Sequence, residues 1–368
     1  MSSSDDSSND ATSSFEGVRG YGRKGGFFAV SVGNTLNGAW TVKSKLGFGR
    51  FSTTWSVSRD GRESALKIHR ASADWWKDEV DLLRKVRNEP CVLQIDSSFE
   101  LRGDNGTHGC IVTERLGRSL RDVMRSCELP GWVRQGVARD LLTGLASLHR
   151  HGIVHTDIKP DNVLFRGWVS DYLVGPPPPG RVYVSKKNRR RGAAAHVAEN
   201  PATVPRDLSV DMTDDVYANG GFCVVADLGN AELVGEYPPN PGSIQARGYR
   251  SPESVLYIHH TEKADIFSAG ILIHELTSPH LFDADAETSE LSALMLVKMM
   301  RRTLGPFPGW MIRAAPSFAA CMVSTDDVPC TTPIDPFVRK LLALDPYERL
   351  SAEEALIEIN ASSPMRVD

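Results

Sequence analysis

The chain has 368 residues, 41% hydrophobic and 24% charged, with a formal net charge of -4; this is an ordinary globular composition, long enough for one large two-part unit or two domains, and the charge argues against a general nucleic-acid binder and leans toward a basic partner. Six scattered cysteines (Cys91, Cys110, Cys127, Cys223, Cys321, Cys330) without a C-x-x-C pair read as reduced thiols of an intracellular protein, not a disulfide framework or a zinc site. No apolar run nears the ~18 residues of a membrane span, and the polar, acidic start MSSSDDSSNDATSS is unlike a signal peptide.

Residues 1–37 are rich in Ser, Asp and Gly and are expected to form a disordered tail. From Trp40, WTVKSKLGFGRFSTTWSVSRDGRESALKIH combines short β-rich runs, glycine punctuation and a tight turn at Asp60-Gly61, which predicts a twisted antiparallel sheet. Within it Gly47 and Gly49 sit between two β-rich runs, where glycines let backbone amides approach phosphate oxygens. Taken alone, such a hairpin is as readily a plain turn. Lys67 follows in SALKIH on the next apolar strand, and Glu79 on the following helix can supply the partner it needs. For an isolated Lys and Glu, a structural ion pair is the plainer reading. The helix is predicted over DWWKDEVDLLRKVRN, with Trp76, Val80, Leu83 and Val86 at helical spacing. CVLQIDSSFELRGDNGTHGCIVTER then returns to strand texture.

After Leu116 the chain turns helical: Val137, Leu141, Leu145 and Leu148 form one apolar stripe, closed by Gly152 as a C-cap. GIVHTDIKPDNVLF next sets Asp157, Lys159 and Asn162 in an otherwise apolar stretch. Residues 166–221 carry GPPPPG, the basic run KKNRRR (186–191) and GAAAHVAENPATVP, a composition that predicts a flexible insertion. The basic run reads as a nuclear import signal or a solvated charge run before it reads as a nucleic-acid contact. GFCVVADLGNA resumes as a buried strand ending at Asp227, and residues 253–358 read as further helices.

Phosphoryl transfer asks a protein for a held nucleotide, metal ions between phosphate oxygens and an aligned hydroxyl. Asp157 can accept a hydrogen bond from a substrate hydroxyl, and Lys159 can neutralise charge on the transferring phosphate. Asn162 can offer its side-chain oxygen to a metal, and Asp227 adds a carboxylate at a strand end. Each alone reads as a solvated loop residue; the ordered set does not.

The motifs KLGFGRFSTTW, DEVDLLRKVRN, GTHGCIVTERLG, IVHTDIKPDNVLF, VADLGNA and IQARGYRSPE resemble those of the eukaryotic protein kinases over residues 40–358, the insertion excepted. HTDIKP together with ADLGNA is similar to the SR-protein kinase branch, which phosphorylates serines in Arg/Ser-rich splicing factors. The resemblance implies an α+β, two-lobed protein kinase fold. Residues 38–116 would form an N-lobe of antiparallel sheet plus a helix. A larger, mainly helical C-lobe would span 117–360, interrupted at 166–221, with a tail at 361–368. It implies a serine/threonine protein kinase using ATP and Mg2+, with Asp157 as catalytic base and Lys159 as phosphate-neutralising cation. Asn162 and Asp227 become metal ligands, Lys67 paired with Glu79 holds the α/β-phosphates, and Gly47, Gly49 and Ser52 lie in the phosphate loop. Leu46, Thr54, Ala65 and Leu164 enclose the adenine, the backbone of Glu114 and Leu116 hydrogen-bonds it, and Glu253 pairs with Arg349 as a brace.

Several positions depart from the pattern. Ser52 replaces the third phosphate-loop glycine, as in this branch. Thr54 brings a hydroxyl where valine is usual, and Thr113 is smaller than the branch's usual phenylalanine. The segment after SPHLFDADAE is shorter than the family's insert, which carries the docking groove for Arg-rich substrates. Thr156 stands where many kinases have the arginine that binds an activation-loop phosphate, so a phosphate on Tyr237 or Ser243 loses its usual basic partner, and constitutive activity is expected. The implied partners are Arg/Ser-rich or basic protein substrates, met by a monomer in nucleus and cytoplasm, without membrane or direct nucleic-acid binding. The rival readings are a pseudokinase scaffold and a CDC-like or cyclin-dependent-kinase-related enzyme with other substrates. Intact polar catalytic positions favour activity over the scaffold.

Overall fold

The computed structural model describes residues 24–71, 73–175, 221–235, 244–282, 293–323 and 333–361. These fall into two compact units, one ending at Arg84 and continued by Gln94–Arg115, the other built from Lys85–Leu93 and the described residues from Leu116 onward.

The first unit is a six-stranded antiparallel sheet with one helix. Its strands are β1 (Thr35–Leu36), β2 (Trp40–Phe48), β3 (Ser52–Arg59), β4 (Arg62–His69), β5 (Ile95–Gly103) and β6 (Gly106–Glu114), in the order β1-β2-β3-β4-β6-β5. Period-2 alternation puts Trp40, Val42, Trp55, Val57, Leu66, Ile68, Cys110 and Val112 into one core. The Asp60-Gly61 turn has φ of 51° and 81° at its centre, the primed turn that matches strand twist, and closes β3 onto β4 at Arg59 and Arg62. Helix α1 (Trp76–Lys85) buries Trp76, Val80, Leu82 and Leu83. Trp76 lies flat against Gly109, where an added Cβ would come within 2.1 Å of the indole.

The expected disordered tail over 1–37 is corrected for residues 24–37, which form an ordered arm on this unit, while residues 1–23 lie outside the described residues. Phe27 is buried and Phe28 and Val30 pack on the core cluster. Asn105 Nδ2 donates to the Phe27 carbonyl (2.7 Å), Asn105 Oδ1 meets His108 Nε2 (2.9 Å), and His108 Nδ1 meets the His69 carbonyl (2.8 Å). Gly25 and Gly26 lead into the arm, but the two adjacent aromatics after them supply the buried area that fixes it.

In the second unit, α2 (Leu120–Ser126), capped by Ser119, precedes α3 (Gly131–Arg150). The α3 stripe Val137, Leu141, Leu145 and Leu148 is fully buried, and Gly152 takes φ +67° just past its end. The short strands β7 (Ile153–Val154) and β8 (Val163–Phe165) flank the Asp157–Asn162 loop. The expected flexible insertion over 166–221 is also corrected at its start. Helix α4 (Gly167–Val174) occupies that region, with Val169 and Ser170 buried and the Ser170 hydroxyl tight against Gly117. The basic run 186–191 lies outside the described residues.

The chain returns in β9 (Cys223–Val225), antiparallel to β8, and β10 (Glu232–Leu233), antiparallel to β7. It continues through α5 (Pro252–Val255), α6 (Lys263–Glu275), α7 (Ala293–Leu304), α8 (Gly309–Ala314), α9 (Ala319–Val323), α10 (Pro336–Leu341) and α11 (Ala352–Ala361). A further correction concerns residues 85–93, expected in the N-lobe. They join the second unit, where the Val225 N–H donates to the Cys91 carbonyl (2.9 Å), the Leu93 N–H to the Val225 carbonyl (3.0 Å) and the Ser147 hydroxyl to the Pro90 carbonyl (3.2 Å).

Candidate active site

In the first unit the face opposite the core carries the candidate nucleotide residues. Strand register aligns Gly47 with Thr54 and Thr54 with Lys67, while Ala65 sits between Ser56 and Thr113. Gly47 and Gly49 have negative φ, and a Cβ on either would meet nothing within 4 Å. Neither backbone conformation nor internal packing requires glycine there, so the open space beside the backbone is the feature both preserve. The Gly49 N–H closes the loop on the Ser52 carbonyl (2.8 Å). Leu46 at the rim is 43% exposed.

Lys67 Nζ donates to both carboxylate oxygens of Glu79, at 2.7 and 2.9 Å, and His69 Nε2 lies 3.4 Å from Glu79 Oε2. Glu79 is nearly buried while Lys67 keeps about a fifth of its surface. The Glu114 N–H donates to the Gln94 carbonyl (3.2 Å) and its carboxylate accepts from the Gln94 N–H (3.1 Å), which fixes the edge of β6. The Glu114 carbonyl accepts from the Thr113 hydroxyl at 3.2 Å.

In the second unit the structure brings Asp157, Lys159 and Asn162 together. Asp157 Oδ2 accepts from Lys159 Nζ (2.6 Å) and from Asn162 Nδ2 (3.0 Å), which also donates to the Asp157 carbonyl (2.9 Å). Both side-chain bonds fall on Oδ2, so Oδ1 is the oxygen turned to other partners. Asn162, with its amide nitrogen so used, retains its side-chain oxygen as a donor atom. The Ala226 N–H donates to the Asn162 carbonyl (2.9 Å), extending the β8–β9 ladder and setting Asp227 one residue past it in left-handed geometry, φ +66°. Aspartate tolerates that conformation better than most side chains. Leu164 lies on β8 opposite Val224, and Leu116 immediately precedes Gly117, whose N–H donates to the Phe165 carbonyl (2.7 Å).

The loop is locked from beneath. Asp265, fully buried, accepts from the His155 N–H (2.7 Å), the Thr156 N–H (2.9 Å) and the His149 ring (3.0 Å). Burial alone would raise its carboxyl, but the His149 bond and its neighbours outweigh this and hold it below the usual range. His155 Nδ1 accepts from the Asp157 N–H, so its Nε2 carries the proton given to the Ala226 carbonyl (3.0 Å). The start of β9 is held by Asp140, whose Oδ2 accepts from the N–H groups of Phe222 (2.5 Å) and Cys223 (3.1 Å). Burial pushes that carboxyl up to about 6 against the pull of those bonds.

Thr156 is a β-branched residue at φ +64°, a conformation costing about 1–2 kcal/mol. Three bonds hold it: the one to Asp265, the Thr156 hydroxyl to the Asn230 carbonyl (2.7 Å), and the Gln245 N–H to the Thr156 carbonyl (2.8 Å). Gln245, which sequence reasoning did not single out, is itself buried at φ +66°. Its amide donates to the Ala264 carbonyl (2.9 Å) and Ser268 Oγ (2.7 Å), its side-chain oxygen accepts from the Ser251 N–H (3.0 Å), and its carbonyl accepts from Arg250 Nε (3.1 Å). In the sequence it is one polar residue of IQARGYRSPE, with no local pattern that marks it. Tyr237, Ser243 and the segment 283–292 lie outside the described residues. Glu253 and Arg349 do pair, at 2.7 and 3.1 Å.

No three His, Cys, Asp or Glu side chains among the described residues cluster as a metal cage. Asn162 and Asp227 instead offer one amide oxygen and one carboxylate. That set fits magnesium, which takes few protein ligands and completes its shell with water and phosphate oxygens. The open Gly47–Gly49 backbone likewise fits a phosphate chain.

The protein kinase domain family matches residues 40–170 and 216–358. The chain is 30% identical over 370 residues to a serine/threonine protein kinase of Aspergillus fumigatus, covering 91% of this chain and 87% of that one. It is 28% identical over 310 residues to the serine/threonine-protein kinase SRPK of Physarum polycephalum (76% and 71%), and 34% identical over 192 residues to SRSF protein kinase 3 of Sus scrofa (44% and 33%). A crystallised kinase domain shares the fold at a TM-score of 0.63 and 20% identity, over 90% of this chain and 97% of that one. The chain therefore belongs to the protein kinase domain family, near the SR-protein kinases. It is a serine/threonine protein kinase.

Proposed function

We propose that this kinase transfers the γ-phosphate of ATP, with magnesium, to serine or threonine hydroxyls in Arg/Ser-rich or otherwise basic proteins, and that it does so as synthesised. The observation that carries the reading is the Asp157 carboxylate, held through Oδ2 by Lys159 and Asn162 with Oδ1 turned away from both. Asp157 Oδ1 receives the substrate hydroxyl, orients its oxygen toward the γ-phosphorus and takes its proton. Lys159 remains on Asp157 and places its charge where the transferring phosphoryl oxygens gather. Lys67, braced by Glu79, holds the α- and β-phosphates, and the Gly47–Gly49 backbone lies along them. Asn162 and Asp227 are the side chains that would hold magnesium, which supplies positive charge to the phosphate oxygens. Leu46, Thr54, Ala65 and Leu164 enclose the base, with the Glu114 carbonyl and the Leu116 N–H as its polar contacts.

Two observations support activity without loop phosphorylation. Thr156 replaces a phosphate-binding arginine with a hydroxyl already spent on the Asn230 carbonyl. Gln245 ties residues 156, 251, 264 and 268 together by neutral hydrogen bonds, the work that charge-assisted bonds to a phosphate would otherwise do. Substrate choice is supported by the SRPK and SRSF kinase relatives and by the chain's net charge of -4. The test is bacterially expressed, phosphatase-treated enzyme offered labelled ATP with Arg/Ser-rich, acidic and proline-directed peptides. Full turnover on the Arg/Ser-rich peptide is expected. A tenfold deficit restored by phosphorylating Tyr237 or Ser243 would overturn constitutive activity, and preference for an acidic peptide would overturn the substrate class.

A further inference from the structure

Two large aromatic rings lie outside the core of the first unit and are left substantially exposed, Phe51 at 41% and Trp75 at 40%. They pack edge to face with centroids 5.2 Å apart. Phe51 is the tip of the glycine-rich loop. Its carbonyl accepts from the Arg70 N–H (2.9 Å), its ring lies 5.1 Å beneath the Arg50 guanidinium, and the loop is closed beside it by Gly49 and Ser52. Trp75 opens α1. The next residue, Trp76, is pinned against Gly109 on β6, which fixes the first turn of the helix. The Trp75 carbonyl in turn accepts the Glu79 N–H (3.3 Å), and Glu79 grips Lys67.

A continuous line of contacts thus runs from loop tip to ion pair: Phe51 ring, Trp75 ring, Trp75 carbonyl, Glu79, Lys67. At its loop end stand Gly47 and Gly49, where an added Cβ would meet nothing within 4 Å. Such a loop has many accessible conformations, and an aromatic rest at its tip selects among them. Core packing does not account for the pair, since neither ring belongs to the buried cluster.

We propose that Phe51 and Trp75 are positioning residues that set the glycine-rich loop over the nucleotide in step with the placement of Glu79 and Lys67. This rests on the reading of the loop as a phosphate cradle. The pair raises the population of the loop conformation that receives ATP, so its loss is felt in nucleotide affinity more than in turnover once ATP is bound. A pair of this kind biases an equilibrium by about threefold to tenfold.

The experiment is a double-mutant cycle in the full chain, Phe51→Ala, Trp75→Ala and both, with Trp75→Phe as the conservative variant. A fluorescent ATP analogue with magnesium gives Kd, peptide phosphorylation gives KM for ATP and kcat, and circular dichroism follows the fold. Each alanine variant should weaken Kd and KM for ATP by about threefold to tenfold with kcat within about twofold, the double variant should be no worse than the weaker single, and Trp75→Phe should restore most of the affinity. Unchanged ATP affinity, or strictly additive losses, overturns the coupling. If Trp75→Ala does not fold, Phe51→Ala, at an exposed loop tip, decides alone. Asp157→Asn is run in parallel: if it keeps full turnover, the reading of the catalytic site fails, whereas a dead Asp157→Asn beside unaltered Phe51 and Trp75 variants sinks only the coupling.

Discussion

Two ion pairs in this molecule look alike on paper. Lys67–Glu79 in the first unit and Arg349–Glu253 in the second both place a cation on both oxygens of a carboxylate. Their surroundings differ. Arg349 is fully buried, and beyond Glu253 it donates to the carbonyls of Ala343 (3.0 Å) and Lys263 (2.6 Å) and lies 5.0 Å over the Phe267 ring. All its donor capacity is answered by its own chain. Lys67 keeps 21% of its surface, on a face lined by Thr54, Ala65 and the open glycines. A saturated pair is a brace, whereas one reachable from outside can still act on a ligand.

That contrast can be broken, and the largest effect belongs to the brace. Arg349→Met strands a buried carboxylate and should cost about 3–5 kcal/mol of stability by chemical denaturation. Glu253→Gln in addition should recover part of it; a loss under 1 kcal/mol for Arg349→Met alone would erase the distinction. Asp140 offers an intermediate case, a buried acid answered mainly by backbone N–H groups. Its carboxyl is raised from 3.8 to about 6, so the native state binds the proton more tightly than the unfolded chain. That stability is fully present below the unfolded value and is lost as pH rises through about 6. Asp140→Asn should therefore gain on the wild type by up to roughly 3 kcal/mol between pH 4 and pH 7. Melting curves with a constant difference across that range would contradict the assignment.

Lys67→Met should reduce kcat/KM on the order of a hundredfold or more, about 2.7 kcal/mol in the barrier, with a smaller loss of stability than Arg349→Met. His69 at 3.4 Å remains beside Glu79. A large stability loss with residual activity would make Lys67 a second brace. The smallest effect is expected at the surface. Lys340 and Glu358 join α10 to α11 at 2.7 Å, with the lysine 54% exposed, and Lys340→Ala should move stability by no more than ~0.5 kcal/mol.

Much of this was legible from local pattern. The Asp60-Gly61 turn, the α1 and α3 stripes and the Asp157–Asn162 cluster carry their geometry in adjacent residues, and the structure places them accordingly. The Lys67–Glu79 pair was legible from strand and helix positions, whereas Glu253–Arg349 came from the family resemblance alone. What stayed hidden depends on partners distant in sequence. Gln245 is one polar residue among many until residues 156, 251, 264 and 268 converge on it. Phe27 and Phe28 were averaged away by their glycine-rich neighbours, and α4 by the proline-rich stretch after it, because composition windows weigh all positions alike and burial does not.

The arm's anchor has a consequence that follows from counting protons. Between the Phe27 and His69 carbonyls, which only accept, stand the Asn105 carboxamide and the His108 ring. A neutral ring that donates to His69 turns a lone pair toward Asn105, and the amide, which donates to Phe27, turns a lone pair back. Rotating the amide merely moves the clash to Phe27. Only a ring protonated on both nitrogens satisfies every contact, yet burial pushes His108 toward the neutral form. The amide is held in this opposition by the Phe27 carbonyl. Release that carbonyl and Asn105 is able to turn and donate to the neutral ring. The arm thus settles, from residues before the sheet begins, which charge state of a fully buried histidine its neighbours can accept.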